Sequence, residues 1–204
     1  ALAAAAAPAA PAERRVQLAS GVTVLIRRDP AVPIVAVRAV WRGGQRAEDA
    51  RAAGASTLLA RMLTRGCGAR DEAAVADRVD QLGGALAGVA GRSSFGLAGE
   101  WLAATWRPGL ELMADCILRP QLPADALARE RALLVDEQAA QRASPSHVAF
   151  RLFAETLYGA HPYGRDVLGT ADSLAGLGRA PLAAFYAERY PLAGLTLAIV
   201  GDVD

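Results

Sequence analysis

The sequence predicts an α+β fold, a largely antiparallel sheet with helices packed on it. Strand-type segments come first, helical ones follow, a strand pair comes next, and after further helices a strand returns near the end. Such blocks, rather than strict alternation, mark an α+β domain. Ser20-Gly21 is a turn signal between Arg15–Leu18 and Val22–Arg28, so the chain opens on a hairpin. Hydrophobic residues make up 53% of the 204 positions, ample for a core.

Charge excludes one class of partner. All 22 basic residues are Arg, and 21 acids leave a net charge of +1. A nucleic-acid-binding face concentrates positive charge, so no nucleic-acid partner is expected. No apolar run is long enough to span a membrane. There is also no phosphate-binding glycine motif.

Residues 1–13 are an Ala/Pro-rich leader, read either as the tail of a secretory signal offering A-x-A sites or as a disordered end or linker. Residues 14–204 are read as a single domain. After Pro30 and Pro33, Ile34–Trp41 is nearly continuous in apolar residues, as a central strand would be. A helix is expected from Asp49 to Arg65. Asp71 is placed to cap a second helix, with Val75, Val79 and Leu82 on one stripe, and Gly83-Gly84 stops it. Ala85–Ala90 and Ser94–Leu102 then form two strands around Gly91-Arg92.

Pro108 suits the first turn of a helix reaching Leu118 and burying Leu110, Met113 and Ile117. Pro120 and Pro123 break the chain. The next helix runs from Ala124 to Arg142, with Glu130 and Glu137 close to one face. Ser144-Pro145 starts another, expected to carry Phe150, Leu152 and Phe153 inward. Pro181–Tyr190 reads as a helix and Leu195–Val200 as a buried-type strand.

Cys67 and Cys116 are too few for a disulfide framework and are read as unpaired small residues, with pairing the alternative in an oxidising compartment. His147 and His161 are the only histidines and lie in no ligand-type cluster. Neither is read as a metal ligand, and His161 is expected to order its own loop.

Thr57, Ala60 and Arg61 sit at i, i+3 and i+4 on one helix face. An inverted zinc-peptidase motif, H-x-x-E-H, places its ligands and general base at that spacing. The stretch Gly54–Gly66 resembles the pattern G-x-A-H-x-x-E-H-M-x-x-x-G of the pitrilysin/insulinase-like (M16) peptidases. Met62 and Gly66 match, while Thr57, Ala60 and Arg61 stand where His, Glu and His would be. The family's third zinc ligand is a downstream Glu with another Glu seven positions before it. Glu137 follows Arg61 by 76 residues, and Glu130 precedes Glu137 by seven. Further matches run from the Leu18–Leu25 hairpin through Gly43–Glu48, Gly83–Ala90 (with Ala87 where the family has Asn and Ala90 where it has Thr), His161–Arg165 and Phe185–Tyr190 to Val200–Asp204.

The resemblance implies a fold of tandem α/β repeats forming a two-lobed clam. It also implies that this chain is a fragment of a protein about twice as long, since family domains continue past the closing strand. In the family, substrate pairs by backbone hydrogen bonds with the edge of the strand corresponding to Ala85, Leu86, Ala87, Gly88, Val89 and Ala90. The expected metal and catalytic set here is none: Glu137 is a vestigial ligand position with Glu130 its companion, and zinc is expected only in a partner. With no histidine opposite, Glu137 is expected to pair with Arg61.

The function so implied is a non-catalytic M16 subunit or domain. It would pair with an active zinc peptidase, or the second half of the same chain, and help form a peptide-binding chamber in the periplasm or outside the cell, otherwise in the cytoplasm. The alternative is a structural or assembly protein of M16 type. A third reading is a zinc endopeptidase with a site not visible in the sequence.

Overall fold

The computed structural model describes residues 13–203, so the leader expectation lies, Glu13 apart, outside the described residues. In chain order the elements are β1 (Glu13–Gln17), β2 (Thr23–Arg28), β3 (Ile34–Arg42), α1 (Ala55–Met62), β4 (Gly66–Cys67), β5 (Arg70–Asp71), α2 (Glu72–Gln81), β6 (Ala85–Ala90) and β7 (Ser94–Leu102). There follow α3 (Trp106–Leu118), α4 (Ala124–Arg142), α5 (Pro145–Tyr158), α6 (Ala171–Gly176), α7 (Arg179–Arg189) and β8 (Thr196–Gly201). The fold is α+β, as the sequence predicts.

Six strands form one sheet in the order β1-β2-β8-β3-β7-β6. Only the β2–β8 pairing is parallel; the others are antiparallel. The small β4–β5 hairpin was not foreseen. β3 does not bury both faces as its apolar run suggested: Val35, Val37, Ala39 and Trp41 are buried, while Ile34, Arg38 and Arg42 are exposed. The reason is that the helices lie on one side. On the other side the cross-strand pair Ile34 and Leu102 is 45% and 46% exposed. β8 behaves alike, burying Ile199 and exposing Val200.

Between sheet and helices an aromatic group joins the two ends of the chain. Trp41 and Phe95 come from the sheet and Tyr186 and Tyr190 from around α7, with the Phe95 and Tyr190 rings stacked at 4.0 Å. Asp71 caps α2 as expected, accepting from the Ala74 N–H at 2.8 Å.

Three further expectations are corrected. The helix expected from Asp49 begins only at Ala55. The Asp49 carboxylate accepts the N–H groups of Arg51 and Ala52, both at 2.8 Å, holding a turn in place of a helix. Gly54 then enters α1 with φ +85, a backbone only glycine adopts freely. Cys67 and Cys116 are not unpaired: they form a disulfide between β4 and α3. Lastly, α5 carries Phe150, Leu152 and Phe153 outward, and Ala154 is its one buried residue. Apolar residues in a helical segment do not by themselves report which side the rest of the molecule occupies.

Candidate functional site

α1 crosses the sheet at β6. At the crossing the two backbones meet: a Cβ built on Gly88 would lie 1.8 Å from the Ala60 carbonyl oxygen. That contact fixes where the face bearing Thr57, Ala60 and Arg61 sits relative to the sheet edge. The Thr57 hydroxyl donates to the Val167 carbonyl at 2.7 Å. Ala60 is buried. Arg61 reaches α4, where its Nη2 donates to Glu137 Oε2 at 2.6 Å, so the pair expected from the sequence is present.

Glu130 lies on the same α4 face, and it is buried. Its Oε1 is 2.7 Å from Arg65 Nη2 and its Oε2 is 3.8 Å from Arg61 Nη1. Arg65 also donates to Glu72 of α2 at 2.8 Å, and Glu72 pairs in turn with Arg129. A continuous chain of ion pairs thus ties α1, α2 and α4 together. Sequence reading found Arg61, Glu130 and Glu137 but missed Arg65. The signal was available, since Arg65 follows Arg61 by four residues and Glu130 precedes Glu137 by seven, two helical turns.

These residues do not fit a zinc ion. Zinc takes imidazole, thiolate and carboxylate donors in a tetrahedral set. Here the position offers a hydroxyl already committed to a carbonyl, a methyl group, a guanidinium and one carboxylate bound by that guanidinium. Among the described residues no group of three or more His, Cys, Asp and Glu is placed to hold a metal. His161 lies in its loop as expected, with Nδ1 accepting from the Tyr163 N–H at 3.2 Å. His147 is exposed on α5.

β6 is an edge strand, with β7 on one side only. Gly91 N–H donates to Ser94 O at 2.9 Å, so that pair is a hydrogen-bonded one. Antiparallel alternation then turns the N–H and C=O groups of Leu86, Gly88 and Ala90 away from β7, toward the open edge. Ala85, Ala87 and Val89 pair inward with β7. Beside this edge lies a groove of about 740 Å³, lined by Thr64, Arg65, Val75, Val79, Leu86 and Gln121 among others.

The opposite end of α1 is held differently. The Glu48 carboxylate is buried and accepts the N–H groups of Gly54 at 2.9 Å and Ser56 at 2.7 Å. A negative group there satisfies otherwise unpaired helix donors and complements the helix dipole. Burial pushes the Glu48 carboxyl above its ordinary range, against those two hydrogen bonds, which pull it down. Ser56 Oγ meets the Tyr190 hydroxyl at 2.9 Å, and that hydroxyl accepts from Gly44 N–H at 3.1 Å. Arg165 Nη2 donates to the Glu48 carbonyl at 2.9 Å. Gly43–Glu48, His161–Arg165 and Tyr190 stood out in the sequence only as separate landmarks. The structure makes them one hydrogen-bonded unit.

This fold, with α1 laid over an edge strand and facing a carboxylate-bearing helix, is shared with M16 peptidase domains of known structure. A sequence profile of the family Insulinase (Peptidase family M16) matches residues 23–171. The chain belongs to that family. An uncharacterized zinc protease of Mycobacterium tuberculosis is 32% identical over 197 residues, which cover 96% of this chain and 45% of the relative. The crystal structure of a peptidase M16 inactive domain from Pseudomonas fluorescens superposes with a TM-score of 0.87 at 29% identity, covering 94% of this chain and 47% of that one. The periplasmic protease PqqL of Escherichia coli shares the fold, with a TM-score of 0.84 at 15% identity. The chain therefore spans about half the length of the curated relatives it matches.

Proposed function

We propose that this chain is a non-catalytic M16 domain that pairs with an active zinc peptidase domain or subunit and helps form its peptide-binding chamber. The observation that carries the reading is the Arg61–Glu137 bond at 2.6 Å, which fills the place where ligands and a base would meet. Zinc hydrolysis needs donors to hold the ion and a base to take a proton from its water. Thr57 and Ala60 supply neither, and the Arg61 charge repels a cation.

The chamber function rests on β6. An extended peptide would add to its edge through the outward N–H and C=O groups of Leu86, Gly88 and Ala90, and backbone pairing of this kind needs no catalytic side chain. Side chains on one face of the added strand would enter the groove beside Arg65 and Leu86. The site and domain assignments follow from this reading: no catalytic residue, no bound zinc, and a second half or partner subunit supplying both. The Cys67–Cys116 disulfide supports an oxidising compartment, periplasmic or extracellular.

Two measurements test the reading together. Elemental analysis after zinc loading is expected to give far less than one zinc per chain, and stoichiometric zinc would overturn the non-catalytic assignment. A fluorescent extended peptide is expected to bind, and the same peptide N-methylated at alternate amides in the matching register is expected to lose binding. Equal binding of the two would remove β6 as the peptide site.

A further inference from the structure

The groove beside β6 carries negative charge that its arginines do not balance. Glu72 and Asp125 line it and are paired, Glu72 with Arg65 at 2.8 Å and with Arg129, and Asp125 with Arg129 at 2.9 Å. Asp71 and Asp80 line it too, and neither is in an ion pair among the described residues. Asp71 caps α2 through Oδ1. Asp80 stands exposed in the last turn of α2, where a negative charge opposes the helix dipole. α2 therefore gains nothing from that charge. The sign is also local, since the whole chain carries +1.

The floor between these carboxylates is apolar, made by Val75 and Val79 of α2 and Leu86 of β6. The chain passes from α2 into β6 through Gly83-Gly84, where the Gly83 N–H donates to the Asp80 carbonyl at 3.0 Å. The end of α2 thus stands beside the start of the open edge. Leu86 lies two residues before Gly88, on the β6 face that meets α1, and its N–H and C=O are turned to the open edge. In an antiparallel added strand, the residue opposite Leu86 exchanges both of those hydrogen bonds and sets its side chain on the same face. That side chain enters the groove over Val75 and Val79.

We propose that the groove selects a basic residue, Arg or Lys, at the position opposite Leu86 of an extended peptide, with Asp80 and Asp71 determining the specificity. The inference rests on the reading of β6 as the peptide edge. An aliphatic stem covers the apolar floor while the charged tip reaches the carboxylates at the rim, as long basic side chains do at the border of apolar surface and water. An acidic side chain meets two unpaired carboxylates instead. Arg65 lines the same groove but is already bound to Glu72 and Glu130. An apolar side chain covers the floor and leaves the rim charges unanswered, so charge separates the three cases.

Fluorescence anisotropy of the disulfide-intact chain tests it, with extended peptides of Ala, Thr and Val identical but for one central residue: Arg, norleucine or Glu. The Arg peptide is expected to bind tightest and the Glu peptide weakest, at least about tenfold apart at low ionic strength and closer at high salt. Asp80→Asn is expected to lower that Arg-to-Glu ratio at least about threefold. Asp77→Asn removes an equal charge from an exposed position of α2 outside the groove and is expected to leave the ratio unchanged. Asp80 is exposed at a helix end, so folding is not at stake, and an unchanged circular dichroism spectrum confirms that. Arg and Glu peptides that bind alike, and lose binding on N-methylation, overturn this proposal and leave β6 as the peptide edge. No binding by any of the three overturns both. A preference for Glu, an unaltered ratio in Asp80→Asn, or an equal effect of Asp77→Asn would each overturn the specificity assigned to the groove.

Discussion

The two ends of α1 are fixed by different physics. At its start, the buried Glu48 carboxylate, the Ser56 and Tyr190 hydroxyls and the Gly44 N–H close a set of hydrogen bonds away from water. At its end, Arg61 and Arg65 reach Glu137, Glu130 and Glu72 through ion pairs whose arginine side chains are about a third exposed. The first arrangement depends on every member being present, since a buried polar group without its partner costs the full desolvation. The second is a redundant set of partly screened contacts, in which one member can go while others hold the same helices together. The helix is thus anchored where no chemistry is asked of it and replaceable where a catalytic site would lie.

The sharpest way to break this picture is at neither end but at the crossing with β6. Gly88→Val would place a side chain on the Ala60 carbonyl, and two backbones must separate to make room. We expect a loss of about 3 kcal/mol, the upper range for overpacking, read from urea unfolding. Ala87→Val, next in the same strand but on the open sheet face, is expected to change stability by no more than about 0.5 kcal/mol. Similar costs for both would mean that α1 does not rest on β6 as described.

The buried end comes next in size. Glu48→Ala leaves the Gly54 and Ser56 N–H groups without acceptors and is expected to cost about 2–3 kcal/mol. Glu48→Gln isolates the charge. Burial holds the folded-state pKa above the unfolded value near 4.5, so the folded state binds that proton more tightly. The group therefore favours folding most below the unfolded value, and this contribution is lost as pH rises through the folded one. The stability difference between the native chain and Glu48→Gln is expected to shrink as pH rises through that window and then level off. A difference that grows with pH would mean that the two N–H donors and Arg165 outweigh burial.

What the sequence could show follows the same division. Local signals were legible: the Asp71 cap, the extent of α4 and the edge hairpin of β6 and β7 all follow from patterns within a few residues. The Arg61–Glu137 pair was legible because a motif spacing set both residues on facing helices. Glu48 was not, because its partners lie in a loop, a helix start and a distant turn, and nothing local distinguishes a surface glutamate from a buried one. The cysteines were misjudged for the same reason, since pairing depends on β4 meeting α3. α5 was misjudged because apolar residues in a helix do not record what, if anything, covers them.

The smallest effect is expected at the position that motivates the functional reading. Arg61→Ala removes the Glu137 contact and the longer contact to Glu130, but Glu130 keeps Arg65 at 2.7 Å, so no buried carboxylate is stranded. The expected cost is below about 1 kcal/mol, falling further as salt screens a pair that is partly in water. Urea melts at low and high ionic strength measure it directly. A small, salt-sensitive loss agrees with a replaceable end of the helix. A loss as large as that of Glu48→Ala and indifferent to salt would place Arg61 among the groups the fold depends on, and the contrast between the two ends of α1 would fail.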